Sequence, residues 1–191
     1  EDNKIHTPIV GVINNLKDED KTEHNERFKQ SLESLIVNIQ TRIPDNGKKC
    51  KTIVLTSATP LNGKSFVSRN IAEKLTGLGN KVLLIDADYK RGDQHTEFNL
   101  EKISLSKFFE ISDSSIESFK IKEKNLYVIP RISRIGSSFE FLYDSRFQSQ
   151  IEMFKSKFDY IIIDTAPLLS VSDTMILLSL GDLRLCVVRH G

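Results

Sequence analysis

Three groups of residues in this sequence are equipped to do chemistry on a phosphate. Lys64 and Ser65 close the run Ala58-Thr59-Pro60-Leu61-Asn62-Gly63-Lys64-Ser65. Asp86 and Asp88 flank a single residue, and Asp164 stands alone further on. A glycine-containing loop that opens a helix aims backbone N–H groups at an anion and favours its charge. A lysine at the end of such a loop reaches the β- and γ-phosphates of a nucleotide, and the adjacent hydroxyl ligates Mg²⁺. Carboxylates beside it serve as metal ligands, as acceptors for a hydrated ion, or as proton acceptors for an attacking hydroxyl.

That chemistry requires all three groups at one edge of one sheet. The sequence predicts strands at Ile9–Ile13, Thr52–Ser57, Lys81–Asp86, Leu126–Ile129, Tyr160–Asp164 and Leu183–Arg189, each short, apolar and rich in β-branched residues. Val82-Leu83-Leu84-Ile85 and Ile161-Ile162-Ile163 are apolar without interruption. Such runs suit a sheet covered on both faces, hence parallel strands joined by helices. Val67, Ile71, Leu75 and Leu78 make one face of a helix that Gly77 and Gly79 end, and Phe28, Leu32, Leu35 and Ile39 make another stripe. Phe139–Phe154 and Thr174–Leu180 read as further helices. Lys17–Asn25 and Pro44–Lys51 read as surface loops, and Ile111–Lys124 as an exposed loop or short helix. The expected fold is α/β and P-loop NTPase-like, a mainly parallel sheet with helices on both faces.

In an open parallel sheet, ligands sit beyond the carboxyl ends of the strands. Asp86/Asp88 and Asp164 end two predicted strands, and the Ala58–Ser65 loop follows a third, so all would face one crevice. An Asp at a strand end also starts turns and caps helices, but in company with Lys64 the phosphate reading is preferred. On that reading Ala58 to Phe66 bind the nucleotide. Lys64 offsets charge on the transferred phosphoryl group, and Ser65, Asp86 and Asp164 serve the metal. Asp86 or Asp88 is the base, with the choice open.

Composition narrows the classes. Lys and Arg number 27 against 26 Asp and Glu, a net charge of +1 that lacks the basic excess of a nucleic-acid binder. The two cysteines, Cys50 and Cys186, imply no disulfide framework. With His6, His24, His95 and His190 they give no zinc spacing. No apolar run approaches the ~20 residues of a membrane span and no signal peptide opens the chain, so a soluble cytosolic domain is expected.

The three motifs in this order resemble the catalytic domain of bacterial tyrosine kinases of the capsular and exopolysaccharide chain-length regulator type. In that family a phosphate loop precedes an Asp-x-Asp motif and then a hydrophobic strand ending in Asp, here Ala58–Ser65, Leu83–Lys90 and Ile161–Asp164. Thr7–Ile13, Asp164-Thr-Ala-Pro-Leu-Leu with Asp173, and Val187-Val188-Arg189 resemble adjoining stretches of the family. The resemblance implies ATP and Mg²⁺ as cofactors. It implies transfer to tyrosine-containing segments of neighbouring copies, and a homo-oligomer formed through a native inner-membrane protein of which this is the cytoplasmic module. Residues 1–45 are expected as an N-terminal arm of short strand and amphipathic helix packed on the core. Residues 46–191 are expected as the kinase core, truncated at its C-terminus.

Two features depart from the family. Its tyrosine-rich tail is absent, the four tyrosines being Tyr89, Tyr127, Tyr143 and Tyr160, and its Glu-x-x-Arg-x-x-Arg helix motif falls on Gln30, Glu33 and Ile36. Partition- and septum-type ATPase switches carry a signature lysine where Thr59 stands, which makes that alternative weaker. A non-catalytic nucleotide-binding scaffold is the other alternative.

Overall fold

The computed structural model describes residues 8–13, 21–44, 47–121, 124–133, 136–169 and 173–189. His6, Thr7, Lys17–Asp20, Asp45–Asn46, Lys122–Glu123 and His190, which entered the expectations above, lie outside them. The chain divides into two compact units, Glu1–Pro44 and Asp45–Gly191.

In the first unit, helix α1 (Lys21–Arg42) begins inside the stretch expected as a loop. Its Leu32, Leu35, Ile36 and Ile39 are buried. Ile9–Ile13 forms no strand. Instead Asn38 Nδ2 donates to the Val10 carbonyl at 2.8 Å. Gly11 lies so close to the helix that a Cβ there would sit 2.9 Å from Leu35 Cδ1. The β-branched residues Ile9 and Val12 are exposed, with no strand partner among the described residues to turn the apolar pattern into a ladder.

The second unit is built on a five-stranded sheet of β1 (Lys51–Ser57), β2 (Val82–Ala87), β4 (Leu126–Ile129), β6 (Tyr160–Thr165) and β7 (Leu183–Val187). Its order is β4-β2-β6-β1-β7, with every ladder parallel. Helix α2 (Lys64–Gly77) links β1 to β2. The short α3 (Gln94–Glu97), β3 (Ile103–Ser104), α4 (Leu105–Phe109), a 3₁₀ turn (Ser115–Phe119) and β5 (Ile132–Ser133) decorate the region around β4. Helices α5 (Ser138–Tyr143) and α6 (Ser145–Lys157) precede β6, and α7 (Asp173–Ser179) precedes β7.

Strand residues alternate between two buried faces. Val54, Leu83, Ile85, Tyr127, Ile129, Ile161 and Ile163 join Phe108, Phe141, Phe147, Phe154 and Leu177 in one core cluster. The intervening Ile53, Leu55, Leu84, Val128 and Ile162 are equally buried. On that side α2, with buried Ile71, Ala72 and Leu75, crosses β1, β2, β4 and β6. The uninterrupted apolar runs are explained by this double cover.

Two expectations change. The helix expected over Phe139–Phe154 breaks at Asp144, whose carboxylate accepts the Arg146 N–H at 2.8 Å and starts α6 afresh. The stretch expected as exposed at Ile111–Lys124 buries Ile111, Ile116 and Phe119, and Gln150 Nε2 donates to the Ile111 carbonyl at 2.7 Å. Sparse apolar residues among Ser and Lys hid its role as a plug under the aromatic cluster.

Candidate active site

The loop between β1 and α2 takes its shape from three local devices. Ser57 Oγ donates to the Thr59 carbonyl at 2.8 Å. Asn62 Nδ2 donates to the same carbonyl at 2.7 Å and to Thr59 Oγ1 at 2.9 Å. Gly63, at φ 82°, is the left-handed residue from which α2 springs. Leu61 is also left-handed, at φ 65°, which for a bulky side chain is strained. Ala58 is not left-handed, so alanine meets no backbone penalty where the usual pattern has glycine. The loop after β6 is tied alongside, Leu168 N–H donating to the Ser57 carbonyl at 2.8 Å.

Ala58 to Leu61 form an exposed lip, whereas Lys64 turns inward. Its Nζ pairs with Asp164 Oδ1 at 2.7 Å, the two side chains being 8% and 0% exposed. Taking both charges out of water is costly, and the pairing offsets that cost. Parallel register sets Asp164 beside Asp86 on β2 and beside Leu55 on β1. Lys64, Asp86 and Asp164, far apart in sequence, therefore share one crevice, as the sequence predicts.

Asp86 and Asp88 play different parts. Asp86 Oδ2 accepts the Gln94 N–H at 3.1 Å and Oδ1 accepts the Asp88 N–H at 3.3 Å. Burial first, then repulsion from Asp164, pushes the Asp86 carboxyl up to about 8, with those two N–H bonds acting the other way. Asp88 folds back on its own turn, Oδ1 accepting the N–H of Arg91 at 2.9 Å and of Lys90 at 3.2 Å. Gly92 presses on Asp86, and a Cβ there would lie 2.0 Å from Oδ1.

Two residues of this crevice carried no sequence signal. Gly92 acts by close approach and Gln94 by a buried side chain, and neither belongs to a motif with fixed spacing. Gln94 Nε2 lies 3.0 Å from Asp164 Oδ2, 3.0 Å from the Ser65 carbonyl and 3.1 Å from Ser68 Oγ.

Ser65 Oγ, Asp86 and Asp164 offer only hard oxygen donors. Among the described residues, no three His, Cys, Asp or Glu side chains converge on a protein-only metal site. Mg²⁺ takes one or two carboxylates and fills its octahedron with water and phosphate oxygens, so this sparse donor set fits it and does not fit zinc.

Residues 50–188 match the family described as AAA domain. CpsD of Streptococcus pneumoniae, a tyrosine-protein kinase, is 32% identical over 174 residues, covering 90% of this chain and 75% of CpsD. This chain belongs to the bacterial tyrosine-protein kinase family. Within that family, the kinase domain of the Escherichia coli tyrosine kinase ETK superposes with a TM-score of 0.75 at 26% identity, covering 86% of this chain and 65% of the ETK domain. EpsB of Ralstonia nicotianae is 34% identical over 84% of this chain, which spans only 21% of EpsB. The chain thus spans about a fifth of that relative's length. The septum-site-determining protein MinD of Pyrococcus horikoshii, in complex with Mg-ADP, shares the fold at a TM-score of 0.56 and 19% identity.

Proposed function

We propose that this chain is the ATP-dependent catalytic module of a protein-tyrosine kinase, transferring the γ-phosphoryl group of Mg·ATP to tyrosine hydroxyls. The observation that carries the reading is the buried Lys64–Asp164 pair at the mouth of the phosphate loop, with Asp86 the register neighbour of Asp164.

The backbone N–H groups of the Ala58–Phe66 loop, Pro60 excepted, and the start of α2 receive the phosphates. Lys64 leaves Asp164 for the β- and γ-oxygens, where its charge is worth more than in the empty pair because negative charge grows there during transfer. Asp164 Oδ1 and Ser65 Oγ are then free and would hold Mg²⁺, which would supply neutralisation of the phosphate charge. The acceptor oxygen attacks the γ-phosphorus, the bond to the β-bridging oxygen breaks, and ADP departs. Asp86 accepts the hydroxyl proton. Its position beside Asp164 suits that role better than the turn-bound Asp88.

The acceptors are tyrosines of neighbouring copies. The module belongs on the cytoplasmic side of an inner-membrane protein that sets capsular or exopolysaccharide chain length. Family membership and the small share of EpsB that the chain spans support this reading. Among the described residues no helix is long and apolar enough to cross a membrane.

The test incubates the protein with Mg·ATP and a tyrosine-containing acceptor, reading ADP and phosphotyrosine together. Lys64→Met should lower the rate about 10²- to 10³-fold, the scale of one lost electrostatic stabiliser. A near-wild-type rate in that variant refutes the assignment. ADP without phosphotyrosine, together with ATP-dependent dimerisation, would favour the septum-type switch. Tight ATP binding without any turnover would favour a scaffold.

A further inference from the structure

Gln94 is fully buried, at 0% exposure, and bonds both acidic strand ends, Asp86 and Asp164. Its main-chain N–H donates to Asp86 Oδ2 at 3.1 Å, and its amide nitrogen faces Asp164 Oδ2 and the Ser65 carbonyl, each at 3.0 Å. Neither of those two oxygens carries a hydrogen, so the amide orientation is fixed by chemistry: nitrogen, not oxygen, must face them. Ser68 Oγ, the third neighbour, turns its own hydrogen to the Ser65 carbonyl at 3.0 Å. The consequence falls on the other end of the amide. Among the described residues Gln94 Oε1 is buried with no hydrogen-bond partner. A buried acceptor left unpaired is unfavourable and calls for a reason. The reason available here is that the donor end is needed where it is.

We propose that Gln94 is the positioning residue that sets Asp164 for the metal-bearing nucleotide. In the nucleotide-free arrangement Lys64 holds Oδ1 of Asp164 and Gln94 holds Oδ2. When Lys64 departs for the phosphates, the carboxylate loses its cation but keeps the Gln94 N–H. It therefore presents Oδ1 in a fixed direction and does not rotate away. Partners that orient a metal-serving carboxylate are commonly worth 10- to 100-fold in metal affinity or activity. The buried Oε1 remains as an acceptor for a donor that arrives with the ligand, such as a water of the hydrated ion. Because Gln94 also bonds Asp86 through its main chain, one residue sets both acidic strand ends against the start of α2.

This inference rests on the nucleotide reading of Lys64 and Asp164, and the experiment separates the two. Fluorescently tagged ADP is titrated into the folded protein, once with Mg²⁺ and once with EDTA. Gln94→Met keeps the side-chain volume and removes both amide functions. Ser68→Ala removes a hydroxyl at the same amide and leaves the Asp164 contact intact. In Gln94→Met the affinity in EDTA should stay within about twofold of wild type, while the gain on adding Mg²⁺ falls about tenfold. Turnover should show the same split, with kcat about tenfold lower and KM for ATP within about twofold. Ser68→Ala should keep the full Mg²⁺ gain. An undiminished gain in Gln94→Met overturns the inference, and so does an equal loss in Ser68→Ala, which would mark packing alone. Failure of Gln94→Met to fold, seen by circular dichroism, overturns it as well by assigning Gln94 to structure. No Mg²⁺ gain in the wild type would instead refute the site reading beneath it.

Discussion

Asp86 and Asp164 occupy partner positions on β2 and β6, sealed from solvent at the same sheet edge. Among the described residues Lys64 is the one cation that pairs with either of them, and it lies on Asp164. Burial is what lifts Asp86 to about 8 from its ordinary 3.8, with the Asp164 charge second. Between those two values the folded protein holds a proton that the unfolded chain has released. Stability from this group is therefore fully present below about pH 4 and is lost as pH rises towards 8. The melting temperature of the nucleotide-free protein should fall by about 5 °C or more between pH 5 and pH 8. Asp86→Asn, which keeps the shape without the titration, should flatten that slope and melt higher than wild type at pH 8. Equal slopes in the two proteins, measured by scanning calorimetry, would show that Asp86 does not titrate in this range.

At the scale of elements, the turn from Asp88 to Gln94 matters as much as the phosphate loop. Asp88 fixes the turn through Lys90 and Arg91, and Gly92 N–H donates to the Asp88 carbonyl at 2.8 Å. Gly92→Ala would drive a methyl into Asp86, whose carboxylate oxygen stands 2.0 Å from the added carbon. Displacing the proposed proton acceptor by about an ångström should lower kcat roughly 100-fold. Overpacking should cost about 1–3 kcal/mol of stability. A variant that keeps wild-type kcat would show that Asp86 tolerates displacement and is not the acceptor. This turn also marks where the sequence stops being legible. Lys64, Ser65, Asp86 and Asp164 are readable because each ends or begins an element whose periodicity is strong, and parallel topology then brings strand ends together. Gly92 and Gln94 act through contacts made only once α3 is laid against β2 and α2, and nothing in their spacing encodes that. The failed strand at Ile9–Ile13 has the converse cause, a β-rich pattern without a neighbour. Asp144 splits the expected long helix because a capping carboxylate overrides an apolar stripe that runs on past it.

For the whole molecule, the proposed transfer between copies would depend on which tyrosines an incoming crevice can reach. Tyr127 is buried, its hydroxyl bound to both Glu117 carboxylate oxygens at 2.9 and 3.0 Å. Burial first, then that bond and the Glu117 charge, push its pKa up to about 12. Tyr89 packs edge-on against Phe141, and Tyr160 opens a central strand. Tyr143 differs in being 65% exposed at the end of α5, its ring 4.5 Å from that of Phe139, itself 54% exposed. An acceptor hydroxyl must enter a foreign active site without unfolding its own domain, and among these four tyrosines that condition selects Tyr143. The two arginine positions of the family's helix motif fall on Glu33 and Ile36 here, and Ile36 is buried at 2% exposure, so an arginine-mediated contact between copies is not expected through this helix. The chain incubated with Mg·ATP should therefore label at Tyr143, at a rate that rises with protein concentration. Tyr143→Phe should remove about nine-tenths of the label while leaving transfer to an added tyrosine polymer unchanged, because Tyr143 is an exposed residue at the end of α5 that packs on Phe139. Label persisting in Tyr143→Phe, mapped by mass spectrometry to Tyr89 or Tyr160, would mean that local opening rather than exposure governs acceptor choice.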